Sequence, residues 1–242
     1  MNKKNIIKMG TAGLCMLMLT GCGGQNKKTY DQAVTDLEQG SYDYALEGYK
    51  SSITAGYKSA QSYRGAGIAC LHLGNYQDAI DSFGKALDES DGIVNSFELD
   101  VLKYRGEAEY KLADYKAAAQ TYGILAEVDG GKAEYLYYKA ASEAADGQAE
   151  DAEKDFAAAE EKAKNSKKSS AAAPGVSLAF TALASAARDA GDSELAAQYC
   201  NQAIERRFII SLRSVKWRLA IMRARCPIMR RRFRWQTVRR RW

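Results

Sequence analysis

The sequence predicts an all-α protein made of stacked αα hairpins, and three observations support this fold class. A turn residue is repeatedly followed by an alanine and then by an aromatic residue at helical spacing, as in Gly74, Ala79 and Phe83. The pattern returns after 34 residues, from Gly40 to Gly74. Only 2 of the 242 residues are proline, which favours helices over a β-sandwich or a barrel. Since the alanines let two helices approach closely and the ring fills the space beside them, each copy predicts one helical hairpin.

The hairpin pattern occurs five times along the chain. Its last three copies are marked by Ala118 and Tyr122, by Ala152, Phe156 and Ala159, and by Ala196, Cys200 and Ala203. The first two of these alanines, Ala118 and Ala152, are again 34 residues apart. Over residues 29–206 the sequence therefore resembles the tetratricopeptide repeat family. The resemblance implies an αα-hairpin superhelix, the tetratricopeptide solenoid, in which each hairpin packs on its neighbours.

Glycines and polar pairs at the turns give the expected helix boundaries. The first repeat is expected to have its helix A at about residues 29–39 and its helix B at 42–54. The second repeat follows with helices at 59–73 and 76–88. The remaining repeats are expected to span residues 97–129, 133–164 and 176–206.

The start of the chain resembles a bacterial lipoprotein signal peptide. Lysines at the N-terminus precede an apolar run over residues 12–19, which is too short to span a bilayer comfortably. The following Leu19-Thr20-Gly21-Cys22 resembles the lipobox, which implies a diacylglyceryl group on Cys22 and removal of residues 1–21. Residues 22–28 would then form a flexible tether, and the protein would lie in the cell envelope on the extracytoplasmic side of a bacterial membrane. An ordinary signal peptide with a chance cysteine is the alternative.

The C-terminal tail, residues 207–242, differs from the repeats in composition. From Arg206 onward there are 13 Arg, 1 Lys and all three tryptophans, but no acidic residue, glycine or tyrosine. Residues 1–205 contain 21 basic and 30 acidic residues, a net charge of −9, so the part of the chain before the tail is acidic. We hypothesise that the tail is the product of a frameshift near Arg206. A basic amphipathic element and a disordered segment are the alternatives.

The five cysteines do not predict a disulfide framework. Cys15 lies in the leader and Cys226 in the tail, whereas Cys70 and Cys200 fall at positions that we expect to be buried in distant repeats. Cys22 is the cysteine to which the lipobox assigns a role.

The repeats contain no set of side chains that predicts catalysis, a metal site or a cofactor site. His72 is the only histidine, which excludes histidine-based triads and sites with several histidine ligands. Gly65 and Gly67 superficially resemble a dinucleotide-binding turn, but they lie within a predicted helix. We interpret Gly67 as a packing residue, because it takes the position that other repeats fill with Ala33, Gly106, Ala140 and Ala184. We therefore expect that the protein is not an enzyme and has no cofactor.

The remaining candidate site is a binding surface. In the family, helix A side chains between the packing positions line a concave groove that receives an extended peptide or a partner helix. The resemblance implies these groove positions: Tyr30, Leu37, Arg64, Ile68, His72, Lys103, Tyr104, Glu107, Tyr110, Lys111, Tyr137 and Tyr138. Tyrosines combine an apolar face with a hydroxyl, and basic residues among them could hold a carboxylate. Packing between repeats is the alternative role for each single tyrosine.

These features together predict a membrane-anchored extracytoplasmic scaffold. Its expected partners are a protein or extended peptide in the groove and the membrane through the lipid on Cys22, rather than nucleic acid. Envelope assembly is the setting that family analogy suggests. Two alternatives remain open. One is an accessory or sensor subunit that recognises cell-wall or peptide ligands in the same groove, and the other is binding of anionic lipid or nucleic acid through the basic tail.

Overall fold

The computed structural model describes residues 22–90, 95–130, 132–165 and 175–214, with the backbone alone for residues 22–23 and 206–214. Its described residues form ten α-helices and no β-strand: α1 (Cys22–Glu38), α2 (Tyr42–Thr54), α3 (Ser59–Leu73), α4 (Tyr76–Asp88), α5 (Ser96–Lys111), α6 (Tyr115–Val128), α7 (Ala133–Ala145), α8 (Ala149–Asn165), α9 (Val176–Asp189) and α10 (Ser193–Ser214). Consecutive helices pair into five hairpins within these ranges. The predicted all-α fold of αα hairpins is thereby confirmed, and the bounds of α2, α3 and α4 agree with the prediction residue for residue.

The chain divides into two compact units, a first unit of residues 1–131 and a second unit of residues 132–242. In the first unit, which contains α1–α6, each helix packs on the next helix along the chain. The helix A members α1, α3 and α5 also contact one another in sequence, α1 with α3 and α3 with α5. The first unit therefore brings the helix A faces of three successive hairpins together.

The turn inside a hairpin requires one residue with a left-handed backbone. Gly74 follows α3 with a φ of +82°, and the amides of Gly74 and Asn75 donate to the carbonyls of Leu71 and Cys70 at 3.3 and 2.9 Å. Glycine adopts this conformation without a Cβ clash. Three other hairpins have a glycine with positive φ at the same place: Gly40, Gly147 and Gly191. The third hairpin instead has Ala113 with a φ of +66°, which costs about 1–2 kcal/mol.

Packing within the hairpins follows the small-residue pattern of the sequence. The alanines that open this pattern have no exposed surface in four hairpins: Ala45, Ala79, Ala118 and Ala152. The ring four residues after Ala79 belongs to Phe83, and a Cβ added to Gly67 would lie 2.6 Å from Phe83 Cε1. A Cβ on Gly106 would lie 2.9 Å from Tyr122 Cζ. The interpretation of Gly67 as a packing residue is confirmed, because only a glycine leaves room for the ring.

The second unit departs from this stacking because α9, besides pairing with α10, packs on α7 and only lightly on α8. The two helices approach closely at Gly175, where a Cβ would lie 3.2 Å from Tyr137 Cβ and 3.2 Å from Tyr138 Cδ1. The Phe156 ring centroid lies 5.5 Å from that of Tyr137 and 4.8 Å from that of Phe180. As a result, α9 covers the face of α7 that carries the two tyrosines.

Two helix ends differ from the predicted bounds by more than one residue. The first helix, α1, begins at Cys22, so the backbone of residues 22–28 is helical rather than a flexible tether. Gln25 and two lysines favour a helix here whereas Gly23 and Gly24 disfavour it, and Thr29 Oγ1 donates to the Gln25 carbonyl at 3.1 Å. At the other end, α10 continues to Ser214, past the predicted end at residue 206.

The predicted signal peptide, residues 1–21, and residues 215–242 of the tail lie outside the described residues. No helix in the described ranges is both long and apolar enough to cross a membrane.

One of the two cysteines that were expected to be buried is exposed. Cys70 is buried in α3 as predicted, whereas Cys200 in α10 is exposed. In the first unit the corresponding residue Phe83 of α4 is covered in part by the following helix α5. Among the described residues no helix follows α10.

Candidate functional site

Helix A faces of three hairpins in the first unit border one concave site of about 390 Å³. Its lining residues come from α1, α2, α3 and α5: Tyr30, Val34, Leu37, Glu38, Tyr42, Tyr49, Gln61, Arg64, Ile68, His72 and Tyr104. We call this set the concave site. It brings together six of the predicted groove positions, namely Tyr30, Leu37, Arg64, Ile68, His72 and Tyr104.

The polarity of the concave site follows from helical spacing. On α3 the lining residues Gln61, Arg64, Ile68 and His72 recur every three or four positions, so they share one face of the helix. Ile68 is only 6% exposed and forms an apolar base, to which Val34 and Leu37 of α1 add apolar surface. Polar and aromatic groups surround this base, an arrangement that is typical of sites that bind part of another molecule.

Contacts among the aromatic rings fix several walls of the concave site. The rings of Tyr42 and His72 are parallel within 3°, with centroids 4.3 Å apart. Tyr30 meets Tyr49 edge to face at 5.9 Å. Burial, reinforced by Tyr30, raises the pKa of Tyr49 to about 12, so its hydroxyl stays neutral at physiological pH. These rings therefore offer preformed apolar surfaces with hydroxyl groups that can donate and accept hydrogen bonds.

Arg64, the only basic residue of the lining apart from His72, is paired within the protein. Its Nε donates to Asp100 Oδ2 at 2.6 Å, and one terminal nitrogen contacts the same oxygen. The guanidinium carbon also lies 5.7 Å from the ring centroid of Tyr104. Basic groove residues were expected to hold a carboxylate from a partner. In the structure the Arg64 guanidinium is already paired with the Asp100 carboxylate of α5.

The remaining predicted groove residues do not join the concave site. Lys103 is exposed on α5 but is not part of the lining, and Tyr110 near the end of α5 packs edge to face on Tyr115 at 5.2 Å. Tyr137 has no exposed surface and its hydroxyl bonds to Glu160, so it is a core residue of the second unit and its place among the groove candidates is corrected. Half-buried Tyr138 lies against Gly175. Two further positions, Glu107 and Lys111, form an ion pair with each other at 2.9 Å.

Sequence reasoning missed several groups of the concave site. Tyr42 and Tyr49 belong to α2, a helix B, whereas the family pattern directs attention to helix A. Asp100 lies 36 residues after Arg64, close to one repeat length, but the longer loop between α4 and α5 obscures the register that would pair them. Among the described residues, no three His, Cys, Asp or Glu side chains are grouped so that they could hold a metal ion.

Comparisons with known proteins agree with this architecture. A family model described as tetratricopeptide repeat matches residues 30–92, which include most of the concave site. Solved structures of three similar chains extend the likeness beyond that segment. MamA from Desulfovibrio magneticus RS-1, starting at its residue 41, is 19% identical with a TM-score of 0.59 and covers 75% of this chain and 94% of its own. Residues 30–92 thus match the tetratricopeptide repeat model, and the chain shares its fold with these solved structures.

Two other tetratricopeptide repeat structures are similar to a comparable extent. YrrB is 22% identical with a TM-score of 0.55, covering 78% of this chain and 90% of its own. Another MamA structure is 16% identical with a TM-score of 0.58, covering 81% and 96%. At these identities the likeness shows the tetratricopeptide fold alone. A search of curated protein sequences gave no significant match.

Proposed function

We propose that this tetratricopeptide repeat protein is a scaffold outside the cytoplasm that binds an extended segment of a protein partner in the concave site. The observation that carries this proposal is the convergence of side chains from three successive hairpins on one site of about 390 Å³. The similar protein YrrB is described as a tetratricopeptide repeat protein with an unusual peptide-binding site, which supports a peptide as the ligand.

The chemistry of the concave site suits an extended peptide. The apolar base around Ile68 receives an apolar side chain, while tyrosine hydroxyls and the Gln61 amide can bond to the polar groups of a peptide backbone. The stacked pair of Tyr42 and His72 is ordered before binding, so little side-chain entropy is lost when a ligand arrives. We propose binding without catalysis, because the lining groups are arranged as contact surfaces and His72 is stacked on a ring.

A lipid on Cys22 attaches the scaffold to a bacterial membrane in this proposal. The lipobox residues Leu19-Thr20-Gly21-Cys22 support the attachment, and two acyl chains on one glyceryl group are sufficient for stable anchoring. Because α1 begins at Cys22 and rises about 1.5 Å per residue, Tyr30 would lie roughly 12 Å along the helix from the attachment point. The concave site is then held near the membrane surface, and envelope assembly is the setting that we propose.

Selection from a random peptide library displayed on phage tests the binding site. The protein should enrich peptides, and binding of the selected peptides should fall in the variants His72→Ala and Tyr104→Ala, which remove lining rings. The matched control is Tyr44→Ala, because Tyr44 is 71% exposed on α2 and does not line the concave site. Circular dichroism confirms that each variant is folded.

Two outcomes of this selection would contradict the proposed site. Peptides that bind the lining variants and the wild type equally would place the binding surface elsewhere. Saturable binding of a short cell-wall glycan to the concave site, with no enrichment of peptides, would instead favour the accessory or sensor subunit.

The anchor is tested separately by membrane fractionation of cells that express the protein. Replacing Cys22 with Ser should release the protein from membranes or leave its leader uncleaved, because serine cannot form the thioether. If the Cys22→Ser variant is processed and still requires detergent for extraction, lipidation at this residue is wrong.

A further inference from the structure

The charge of the concave site is balanced within the protein. Arg64 is its one permanently positive lining residue, and Glu38 is its one acidic lining residue. Asp100, just outside the lining, accepts from Arg64 Nε at 2.6 Å and contacts a second guanidinium nitrogen. Lys58 lies near this region with its Nζ 4.4 Å from the ring centroid of Tyr30. The other lining groups are aromatic, aliphatic or amide side chains.

The pairing of Arg64 is supported from two directions. Asp100 and Tyr104 lie one turn apart on α5, and both contact the guanidinium group from that helix. Tyr104 is itself placed over Phe83, with ring centroids 6.1 Å apart and planes 15° apart. Because α3 and α5 already hold the two partners together, the ion pair forms without the loss of translational and rotational freedom that binding of a ligand carboxylate requires.

A carboxylate on a ligand gains little at such a site. It must either displace Asp100 from Arg64 or lie beside the Asp100 carboxylate and be repelled by it. An apolar or aromatic side chain of a ligand does not compete with Asp100. It packs on the apolar surface of Ile68, Leu37 and the tyrosine rings.

We propose that Asp100 is a specificity-determining residue: by occupying Arg64, it makes the concave site select uncharged peptide segments with apolar or aromatic side chains and reject acidic segments. This inference rests on the proposed peptide-binding function. Removal of the Asp100 charge should release Arg64 to bind a carboxylate and so change the preference of the site.

The test compares three proteins in the same random peptide selection. Asp100→Asn keeps the shape of the side chain but removes its charge. Asp81→Asn makes the same charge change on α4, where Asp81 is exposed and bonds to Gln77 at 3.0 Å, and serves as the matched control. Asp100→Asn should enrich peptides that contain Asp or Glu, whereas the wild type and Asp81→Asn should not.

Selected peptides then give a quantitative readout. For peptide pairs that differ by one Glu or Gln, Asp100→Asn should raise the affinity for the Glu form relative to the Gln form by about two- to fivefold, the range expected of a partly exposed charge pair. The double variant Arg64→Gln/Asp100→Asn should lose this gain, because the released cation is then absent.

The outcomes separate this inference from the function on which it rests. Enrichment of peptides with an unchanged Glu-to-Gln affinity ratio in Asp100→Asn would overturn the role of Asp100 alone, and so would a wild-type preference for acidic peptides. If none of the three proteins enriches any peptide, the proposed peptide-binding function itself is overturned together with this inference.

Discussion

Replacing Gly67 with Ala should destabilise the first unit, although the same change usually stabilises a helix. Gly67 lies inside α3 beneath the fully buried ring of Phe83. An alanine Cβ would lie 2.6, 2.8 and 2.9 Å from three atoms of that ring, distances at which the ring or the helix must move. Phe83 is surrounded by core residues and has no exposed surface into which it could turn.

The magnitude follows from two opposing effects. Alanine in place of glycine within a helix contributes about 1 kcal/mol of stability. Inserting a methyl group into a well-packed core costs about 1–3 kcal/mol. The free energy of unfolding of Gly67→Ala should therefore fall by about 0–2 kcal/mol relative to the wild type.

Gly84 provides the matched control within the same unit. It lies inside α4, and a Cβ added there would meet no atom within 4 Å. Gly84→Ala should therefore show the helix effect alone and gain up to about 1 kcal/mol. Urea unfolding followed by circular dichroism at 222 nm measures both variants, and they should differ by about 1–3 kcal/mol.

A second substitution tests whether the Phe83 ring is the cause. In a Phe83→Leu background the smaller side chain leaves more room, so Gly67→Ala should cost less than it does in the wild type. The reasoning would be refuted if Gly67→Ala and Gly84→Ala stabilise the protein equally, or if the Phe83→Leu background leaves the cost unchanged.

Three further predictions concern strain, pH and thiol reactivity. Ala113→Gly should raise the free energy of unfolding by about 1 kcal/mol, because glycine accepts a φ of +66° without strain, and an unchanged urea midpoint would contradict this. Burial and the Asp155 carboxylate raise the pKa of Glu143 to about 7 from 4.5, so the contribution of Glu143 to stability is present in full below about pH 4.5 and is lost as pH rises through 7. Melting temperatures from about pH 5 to about pH 8 should show a smaller fall in Glu143→Gln than in the wild type. In the native protein a maleimide should label exposed Cys200 and spare Cys70, whose burial raises its thiol pKa; equal labelling by peptide mass spectrometry would count against this.

Much of the fold could be predicted from the sequence because its determinants are local. The turn at Gly74 needs a left-handed residue, and the alanine and aromatic spacing after it defines which face of α4 is buried. These features lie within one hairpin, so residues 59–73 and 76–88 could be assigned as helices without knowledge of the rest of the chain. The same phase placed Arg64, Ile68 and Tyr104 on the inner helix faces, where they line the concave site.

The site could be predicted only in part because its remaining features depend on contacts between hairpins. Tyr137 occupies a groove position by repeat phase, yet α9 packs on α7 and buries it. The packing of α9 on α7 is a contact between hairpins, which the local pattern of α7 does not record. Cys200 occupies a core position by the same phase but is exposed, since burial also requires a covering neighbour.

The sequence by itself determined the all-α repeat architecture, the boundaries of the central helices and the side chains that lie on the inner helix faces. Only the tertiary structure decided which of those faces remain open and which charges remain available, as the pairing of Arg64 with Asp100 from the next hairpin illustrates. The physical reason is range: helix formation and turns depend on residues within one or two turns of one another. Exposure and ion pairing depend on groups that only packing between hairpins brings within a few ångströms.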